Sequence, residues 1–568
     1  MKPSTISDDN VVPALSSSLL NVLHSSFIDC HQNSSIAASS SSAKPAINVA
    51  RSLVYEFLSS HLIIYSADRK HWRDLGKKEL EEALSYQWNT NRARNVIVFV
   101  GDGMSPDTIT ASRIYRAGET SHLAWEKFPH IGILKTYNVN KQVPDSASTA
   151  TALFGGVKTN YEVVGVDRNV PLGDCPASLD TNHHVDSIVS WAQAVGKDTG
   201  FVTTTRVTHA TPAPLYAHSA DRRWECEAKM PAGAARCKDI ARQLVEDLPG
   251  RDIKVIMGGG RQMMKSNATA GASDPIDTWA CYRQDGRDLI EEWRKDKASR
   301  KAAFSVVQNN EQLSNVDTDK VDYLLGVFAN GHISMDWNRD KGPKGQPSLE
   351  EMTVAALKIL QRSKQGYLLV VEGGLIDFAH HRGHAAQALL ETVRLSDAIN
   401  ATLRMINTDD TLVIVTSDHT HSMSFNGYSD RGTNILGVAQ KSRFDGIPYT
   451  TLTYSTGGRN NMAYTVENGA TVREDPSKAN TTDFTYSQQA AIVSDEAYHG
   501  GGDVAVYAIG PFAHLFHSVH EQNYVARVIG YAANMEPRAS SAGTHGYNIL
   551  MNVTMYCALF LIILFDRW

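Results

Sequence analysis

Short, continuous runs of apolar residues alternate with longer amphipathic stretches from about residue 95 onward. Val96–Val100 is β-branched and too uniformly apolar for a half-exposed strand, so it predicts a strand buried on both faces. Similar runs follow at Phe201–Thr204, Ile253–Met257, Tyr367–Val371, Leu412–Val415 and Val504–Ala508. Helical patterns lie between them at Val185–Val195, Asp239–Asp247, Leu349–Leu360 and Ala385–Ile406. This alternation predicts an α/β fold with a large, mostly parallel central sheet and helices on both faces.

Residues 424–496 interrupt this rhythm. The segment is rich in Gly, Thr, Asn and Tyr, a composition typical of loops and short strands. We therefore expect a small irregular insertion, crown-like in its position at the rim of the fold, that could take part in subunit contact.

The N-terminal 67 residues differ from the body of the chain. They are rich in serine, which is typical of disorder, and they lack the charged start and continuous apolar stretch of a secretory signal. We assign residues 1–67 to a leader outside the fold and leave the true N-terminus of the protein open. The folded domain is then expected at residues 68–537.

Residues 538–568 have the features of a lipid-anchor signal. Ile549–Phe565 is apolar apart from Asn552 and Thr554, and as a helix its 17 residues would span roughly 26 Å, slightly less than a bilayer core. A cluster of small residues that includes Ser540 and Ser541 precedes this tail. This order predicts a glycosylphosphatidylinositol (GPI) anchor attached near Ser540 or Ser541. A retained membrane span and a buried terminal helix are the alternatives.

Charge and cysteine content narrow the function classes. The net charge is −6 without long runs of one sign, so we expect no nucleic-acid binding. Of the six cysteines, Cys30 and Cys557 lie in the atypical ends. The other four, which can pair in three ways, are Cys175, Cys226, Cys237 and Cys281. Candidate N-glycosylation sites are Asn267, Asn400 and Asn480.

Side chains of the metal-ligand type directly follow four of the predicted strands. They are Asp102 after the first run; His209 and Thr211 after the second, where they follow Arg206; Glu372, Asp377 and His381 after Tyr367–Val371; and Asp418, His419 and His421 after Leu412–Val415. Ligands of open α/β sheets bind beyond the carboxyl ends of strands, so we expect these side chains to meet at one edge. Mixed nitrogen and carboxylate ligands suit zinc, whereas oxygen ligands alone suit magnesium.

Each of these motifs also has an ordinary structural interpretation. Gly-Asp-Gly is usually a turn, Asp145-Ser146 could cap a helix, and His380-His381 could be a surface pair. Their joint placement at strand ends favours the metal centre.

Six strings in this order resemble the alkaline phosphatase family. They are Val100–Met104, Pro144–Thr151, Thr203–Pro212, Val371–Gly374, Asp418–His421 and His499–Asp503, and the resemblance extends from about Trp72 to Pro537. It implies a homodimeric enzyme on the extracellular face of the plasma membrane. The enzyme would hydrolyse small phosphate monoesters at alkaline pH through a phosphoserine intermediate.

The resemblance also implies a role for each matching residue. Ser146 would be the nucleophile and Arg222 would bind the phosphate. One zinc ion would be bound by Asp377, His381 and His499, and the other by Asp102, Asp418 and His419. The magnesium ion would be bound by Asp102, Thr211 and Glu372. His209 and His421 would orient these ligands and water. Cys175 and Cys237 match a disulfide of the family, which leaves Cys226 and Cys281 as a second pair.

Some positions depart from the family pattern. Leu375 and Phe378 stand where relatives often have polar or basic residues near the phosphate, which should alter turnover and phosphate release more than metal retention. In the segment after Phe328, Ala329 and Gln346 replace acidic residues that bind calcium in some animal relatives. We therefore expect no calcium there.

Other functions can be compared with this interpretation. A sulfatase would need a Cys or Ser in a C/S-x-P-x-R context, and the sequence has none. Ser146, Arg222 and the three-metal set favour monoesters over the diesters of a phosphodiesterase. A surface receptor with reduced catalysis is the alternative from a different class.

Overall fold

The structure is a computed structural model in which residues 68–271, 273–461 and 464–536 are described. The predicted leader, residues 1–67, and the anchor signal, residues 538–568 with Ser540 and Ser541, lie outside the described residues. Among the residues that are described, no helix is both long enough and apolar enough to cross a membrane.

A ten-stranded sheet forms the centre of the fold. Its strands are β1 (Asn95–Gly101), β2 (His130–Lys135), β3 (Asp198–Arg206), β4 (Val255–Gly259), β5 (Phe304–Val307), β6 (Tyr323–Val327), β7 (Tyr367–Gly373), β8 (Thr411–Thr416), β18 (Val504–Ile509) and β19 (Ser518–Glu521). The spatial order is β19-β2-β18-β8-β1-β7-β3-β4-β6-β5. Every neighbouring pair is parallel except the two that β18 forms with β2 and β8. The predicted mostly parallel sheet is confirmed.

Strand β1 shows why the apolar runs are continuous. Val96, Val98 and Val100 pack into one hydrophobic cluster, whereas Ile97 and Phe99 pack into another. Successive side chains of a strand point to opposite faces, so a sheet covered by helices on both faces needs apolar residues at every position.

The α-helices surround this sheet. They are α1 (Arg69–Ser85), α2 (Pro106–Ala117), α3 (Ser146–Gly155), α4 (Cys175–Ser178), α5 (Ile188–Ala194), α6 (Ile240–Glu246), α7 (Arg261–Met264), α8 (Leu289–Ser299), α9 (Asn310–Ser314), α10 (Leu349–Leu360), α11 (Leu375–His381), α12 (Ala385–Leu403) and α13 (Tyr524–Ala533). Side-chain capping hydrogen bonds determine where several of these helices begin. Helix α5 begins three residues later than its pattern suggests, because the Ser187 side chain accepts hydrogen bonds from the backbone N–H groups of Val189 and Ser190.

The predicted insertion consists of short strands in small sheets. These strands are β10 (Met423–Phe425), β11 (Val438–Lys441), β12 (Pro448–Thr450), β13 (Leu452–Gly457), β14 (Tyr464–Glu467), β15 (Ala470–Arg473) and β16 (Ala490–Val493). Strands β10, β13 and β16 form one sheet, while β11 pairs with β12 and β14 with β15. Two further short strands, β9 (Thr420–His421) and β17 (His499–Gly500), pair with each other where the chain leaves β8 for the insertion and returns from it to β18.

Candidate metal centre

Four adjacent parallel strands deliver the candidate residues to one place. The order β8-β1-β7-β3 in the sheet brings their carboxyl ends side by side. Val100 in β1 pairs with Glu372 in β7, and Glu372 pairs in turn with Thr203 in β3. The gathering that the sequence predicts therefore follows from the strand register.

Asp377, His381, His421 and His499 form the first cluster, in which one ligand-type atom of each lies within 4.8 Å of the others. Asp377 and His381 stand one turn apart on α11. Nε2 of His381 lies 3.0 Å from Nε2 of His499, and both atoms are 3.4 Å from an Asp377 carboxylate oxygen. Nε2 of His421 lies 2.5 Å from Asp377 Oδ1. His421 thus contacts the carboxylate that the sequence expected it to orient.

The backbone fixes the orientation of two of these imidazoles. Nδ1 of His381 is 3.0 Å from the carbonyl oxygen of Ala497, and Nδ1 of His499 is 2.9 Å from that of Pro144. A carbonyl can only accept, so each Nδ1 carries the proton and donates it. In the neutral form of each imidazole, Nε2 then has a lone pair directed into the cluster, as in a metal-binding histidine.

Asp102, Asp418 and His419 form the second cluster, next to Ser146. Nε2 of His419 lies 3.4 Å from Asp102 Oδ1, 3.3 Å from Asp418 Oδ2 and 3.2 Å from Ser146 Oγ. All four residues are buried. Burial lowers the pKa of His419 to about 4, which keeps its imidazole neutral and able to bind a cation.

Asp102 also belongs to a third cluster with His209 and Glu372. The hydroxyl of Thr211 donates to Asp102 Oδ2 over 3.4 Å. Thr203 and Thr205 donate to Glu372 Oε2 at 2.5 and 3.1 Å. This third site is mostly oxygen, and the sequence expected His209 only as a neighbour of its ligands.

Four buried carboxylates, those of Asp102, Asp377, Asp418 and Glu372, lie close together in these clusters. Burial raises the pKa of Asp102 well above its usual value, and the carboxylates of Asp418, Asp377 and Glu372 raise it further. Burial likewise raises the pKa of Glu372 to about 7. Asp102 Oδ1 and Glu372 Oε1 have no hydrogen-bond partner among the described residues. Buried carboxylates with free lone pairs fit bound divalent cations.

In the first cluster, the pKa of His381 is raised, whereas that of His419 in the second cluster is lowered. Although burial lowers the pKa of His381, Asp377 raises it to about 9. A cation bound in the first cluster would therefore displace a proton from this imidazole.

Ser146 begins helix α3 and is buried at its N-terminus. The preceding residue, Asp145, caps the helix by accepting hydrogen bonds from the N–H groups of Ala147 and Ser148. A helix N-terminus favours negative charge, so this position suits a serine oxygen that becomes anionic. Thr149, one turn further on, donates to Asp418 Oδ2 over 3.1 Å and links the helix to the second cluster.

Arg222 lies beside the serine helix. Its Nη1 donates to Asp145 Oδ2 over 3.1 Å, and its Nη2 is 3.3 Å from Nε2 of His209. Burial lowers the pKa of Arg222, but Asp145 and Glu162 raise it by more, so the guanidinium is a permanent cation. Sequence reasoning recognised Asp145 only as a cap and missed Thr149, although its spacing of three from Ser146 on a helix places both on one face.

The four cysteines in the described part of the chain form two disulfides, Cys175–Cys237 and Cys226–Cys281. The pairing implied by the family resemblance is therefore the one found. Of the three sequon asparagines, Asn267 and Asn480 are exposed and Asn400 is half-buried in α12.

The segment after Phe328, in which we expect no calcium, contacts a protein cation. Nη1 of Arg261 lies 2.5 Å from Asp274 Oδ2 and 3.2 Å from Asn330 Oδ1. The amide oxygen of Gln346 accepts a hydrogen bond from the Ser334 N–H. Oxygen atoms that already bind a guanidinium are poorly placed to bind calcium, and the absence of calcium stays a prediction.

The fold and the site together define an α/β protein with three clusters of side chains that could hold metal ions at one end of its parallel strands. The family model described as alkaline phosphatase matches residues 93–535. An alkaline phosphatase of Gadus morhua is 45% identical over 475 residues, covering 82% of this chain and 97% of the relative. The human tissue-nonspecific isozyme of alkaline phosphatase is 43% identical over 494 residues, covering 84% of this chain and 92% of the relative.

A crystal structure of an alkaline phosphatase from Thermus thermophilus has the same fold, with a TM-score of 0.56 at 24% identity over 79% of this chain and 93% of its own. The chain belongs to the alkaline phosphatase family. It is therefore a hydrolase of phosphate monoesters, and its family implies divalent metal ions.

Proposed function

We propose that this chain hydrolyses phosphate monoesters at alkaline pH by way of a phosphorylated Ser146, at a centre of two zinc ions and one magnesium ion. The observation that carries the proposal is the position of Ser146 Oγ, 3.2 Å from His419 Nε2, beside three clusters joined through Asp102. In the contacts given above, no other serine of the described residues has its hydroxyl oxygen beside a histidine of these clusters.

The donor sets support this choice of metals. Asp377, His381 and His499 would hold one zinc ion, and Asp102, Asp418 and His419 the other. Asp102, Thr211 and Glu372 would hold magnesium, in keeping with the preference of that ion for oxygen. His421 would orient Asp377, and His209 would stand between the magnesium ligands and Arg222. When bound, the cations would supply Lewis acidity at the attacking and leaving oxygens.

The chain's own residues would carry the phosphoryl group through two steps. Ser146 Oγ loses its proton to solvent and attacks phosphorus; the Oγ–P bond forms, the bond from phosphorus to the alcohol oxygen breaks, and that oxygen takes a proton from solvent. Hydroxide, formed when a water molecule loses a proton to solvent, then attacks the phosphoserine; the Oγ–P bond breaks, phosphate leaves, and the serine oxygen is free for the next cycle. Arg222, held by Asp145, would bind two phosphoryl oxygens throughout. The N-terminus of α3 would stabilise negative charge on Oγ.

Alkaline operation follows from the need for a deprotonated serine oxygen and an attacking hydroxide. Both forms become more abundant as pH rises. A pH–rate profile of kcat for an aryl phosphate should therefore peak above neutrality, and a maximum below pH 7 would contradict this.

The central test is performed on the purified full-length chain. Metal analysis should give two zinc ions and one magnesium ion per chain, and a chromogenic aryl phosphate should be hydrolysed until a chelator is added. Ser146→Ala should lower kcat by at least about a thousandfold with metal content unchanged. Ser112→Ala is the matched control, because Ser112 is also buried on a helix and its Oγ has no hydrogen-bond partner among the described residues. Full activity in Ser146→Ala, or an inactive protein with all three metals bound, would overturn the proposal.

A homodimer is the second part of the proposal, and helix α1 supports it. None of its residues is buried, and even its large apolar side chains are exposed: Trp72, Leu80 and Leu84 are 51%, 59% and 76% exposed. An unpacked helix of this length is marginally stable in water, so its apolar side chains need a partner surface. Light scattering should give twice the chain mass, and Trp72→Glu combined with Leu80→Glu should shift the protein toward monomer. Arg73→Glu, on the same helix, should not.

We place the enzyme on the outer cell surface, attached by a GPI anchor near Ser540 or Ser541. Two disulfides are typical of an oxidising compartment, and exposed Asn267 and Asn480 are available for glycans. In transfected cells, a phosphatidylinositol-specific phospholipase C should release the activity into the medium. Activity that stays with the membrane after this treatment would indicate a retained span instead.

A further inference from the structure

An exposed arginine, Arg382, stacks on the half-buried Phe378 beside the proposed phosphatase site. The guanidinium of Arg382 lies 3.6 Å above the centre of the Phe378 ring, and its Nη1 is 3.4 Å from the Phe378 carbonyl oxygen. We propose that this pair is a leaving-group subsite that favours phosphate esters whose alcohol portion carries negative charge. The inference rests on the proposed function and names a substrate class for the same site.

A continuous wall connects this pair to Arg222. Phe378 directly follows Asp377 in α11, and its ring centre lies 4.9 Å from that of His332. The His332 ring lies 5.1 Å from the ring of His209, which contacts Arg222. Phe378 and Arg382 therefore extend the surface on which the phosphoryl group would be held.

The site is open on the side of Arg382. In the second cluster, the side chains of Asp102, Asp418 and His419 are fully buried. In the first cluster, those of His381 and His499 are 21% and 13% exposed. Solvent therefore reaches the site past His381 and His499, as it does past Arg222, whose side chain is 20% exposed. The residue that follows His381 in the chain is Arg382, which is itself exposed.

The direction of the reaction places the leaving group on the same side. In phosphoryl transfer the attacking and leaving oxygens lie roughly in line across phosphorus. Ser146 is next to His419 in the second cluster. The alcohol portion of the ester must then point away from Ser146, toward the first cluster and the open side where Arg382 lies.

Arg382 keeps its charge available for a ligand. The carboxylates that act on it electrostatically are those of Asp277 and Glu496. Asp277 contacts Arg206 at 3.4 Å, and Glu496 contacts Nδ1 of His381 at 3.3 Å. Within the described part of the chain, neither these nor any other carboxylate forms an ion pair with Arg382.

Stacking on Phe378 also limits the freedom of the Arg382 side chain. A guanidinium fixed over an aromatic face loses less entropy when it binds an anion, and its remaining N–H groups can form two parallel hydrogen bonds with a carboxylate. An uncharged or cationic leaving group would gain nothing from this contact.

Three substrates of similar size test the proposal in the metal-loaded enzyme: phosphoglycolate, ethyl phosphate and phosphoethanolamine, with anionic, neutral and cationic leaving groups. We expect the ratio of kcat/KM for phosphoglycolate to that for ethyl phosphate to fall about tenfold in Arg382→Gln, the size of one charge-assisted contact. In the same variant, the ratio of kcat/KM for phosphoethanolamine to that for ethyl phosphate should rise. Arg382→Lys should recover part of the first ratio, because the charge remains and the planar fork is lost.

Arg404→Gln is the matched control. Arg404 is an exposed arginine at the far end of α12, about 29 Å along the 19-residue helix from its start near the site. Both kcat/KM ratios should stay as in the wild type. Equal losses on the three substrates in Arg382→Gln would overturn the leaving-group subsite and leave the proposed function standing. A metal-loaded wild type that hydrolyses none of them would overturn both.

Discussion

Asp145 holds together the nucleophile and the phosphate-binding arginine, and Asp145→Asn tests this directly. Oδ2 accepts hydrogen bonds from Ala147 N–H and Arg222 Nη1, both at 3.1 Å. Oδ1 accepts from Glu162 N–H at 2.9 Å and from the Ser148 hydroxyl at 2.7 Å. Both oxygens thus face donors, so the amide of asparagine must direct its NH₂ group at one of these sets.

The magnitude follows from the bond that is lost. Oδ1 also accepts from the Ser148 N–H at 3.4 Å and so faces three donors against two at Oδ2. The asparagine oxygen should therefore take the position of Oδ1, and the NH₂ group should face Arg222. A hydrogen bond between charged groups contributes roughly 1.5–3 kcal/mol, which corresponds to about a ten- to hundredfold change in an equilibrium. Without its anchor, Arg222 no longer meets the phosphoryl group in a fixed orientation. We expect kcat/KM to fall by about ten- to a hundredfold and the inhibition constant of inorganic phosphate to rise by a similar factor.

The assay compares two capping aspartates. Asp288→Asn is the matched control, since Asp288 caps α8 and pairs with Lys265 at 3.0 Å but does not contact the site. Both variants should lose a similar amount of stability in urea, whereas only Asp145→Asn should lose activity and phosphate affinity. Wild-type kinetics in Asp145→Asn would refute the positioning role. Equal kinetic losses in Asp288→Asn would show that the effect is general destabilisation.

Three further predictions concern stability. Burial raises the pKa of Glu391 to about 7, above the usual 4.5, so the folded state loses stability as pH rises between these values. Relative to wild type, Glu391→Gln should gain about 2–3 kcal/mol more at pH 8 than at pH 5 in urea unfolding, and a pH-independent difference would contradict this. Arg283→Met should cost about 3–5 kcal/mol, because it leaves the buried Asp239 carboxylate, 2.7 Å away, unpaired; adding Asp239→Asn should recover part of the loss. Replacing Cys226 and Cys281 by serine opens a loop of 55 residues and should cost about 4 kcal/mol by the chain-entropy relation, measured as a lower urea midpoint.

The central parallel strands of the sheet could be predicted from the sequence, but the strands toward one side, β2 and β18, could not be placed in the same way. Runs such as Val96–Val100 are apolar at every position because both faces are covered, and such runs stand out in any sequence. Strand β2 instead alternates between buried and exposed positions over only six residues, a weak signal. The antiparallel direction of β18 has no local signature either, because it depends on where the chain returns after the insertion.

The site shows the same division between local and long-range information. Asp102, Glu372 and Asp418 could be placed at one sheet edge, because parallel strands end together. The contact between His421 and Asp377 depends on the pairing of β9 with β17, which no spacing in the sequence reveals. The stacking of Arg382 on Phe378 is a local i, i+4 contact, and it becomes meaningful only once the open side of the site is known.

Gly103 explains how the first and second clusters can lie so close together. Its φ of +67° is in the left-handed region, and the turn that it forms lets its N–H donate to Asp418 Oδ1 over 3.1 Å. A Cβ atom at this position would lie 2.6 Å from the His421 ring and 3.2 Å from Asp377 Oδ1. The turn that presents Asp102 to the second cluster therefore needs both the conformation and the small size of glycine, since any side chain would push against the first cluster. The Gly-Asp-Gly string, an ordinary turn when considered alone, is here the backbone contact between the two proposed zinc sites.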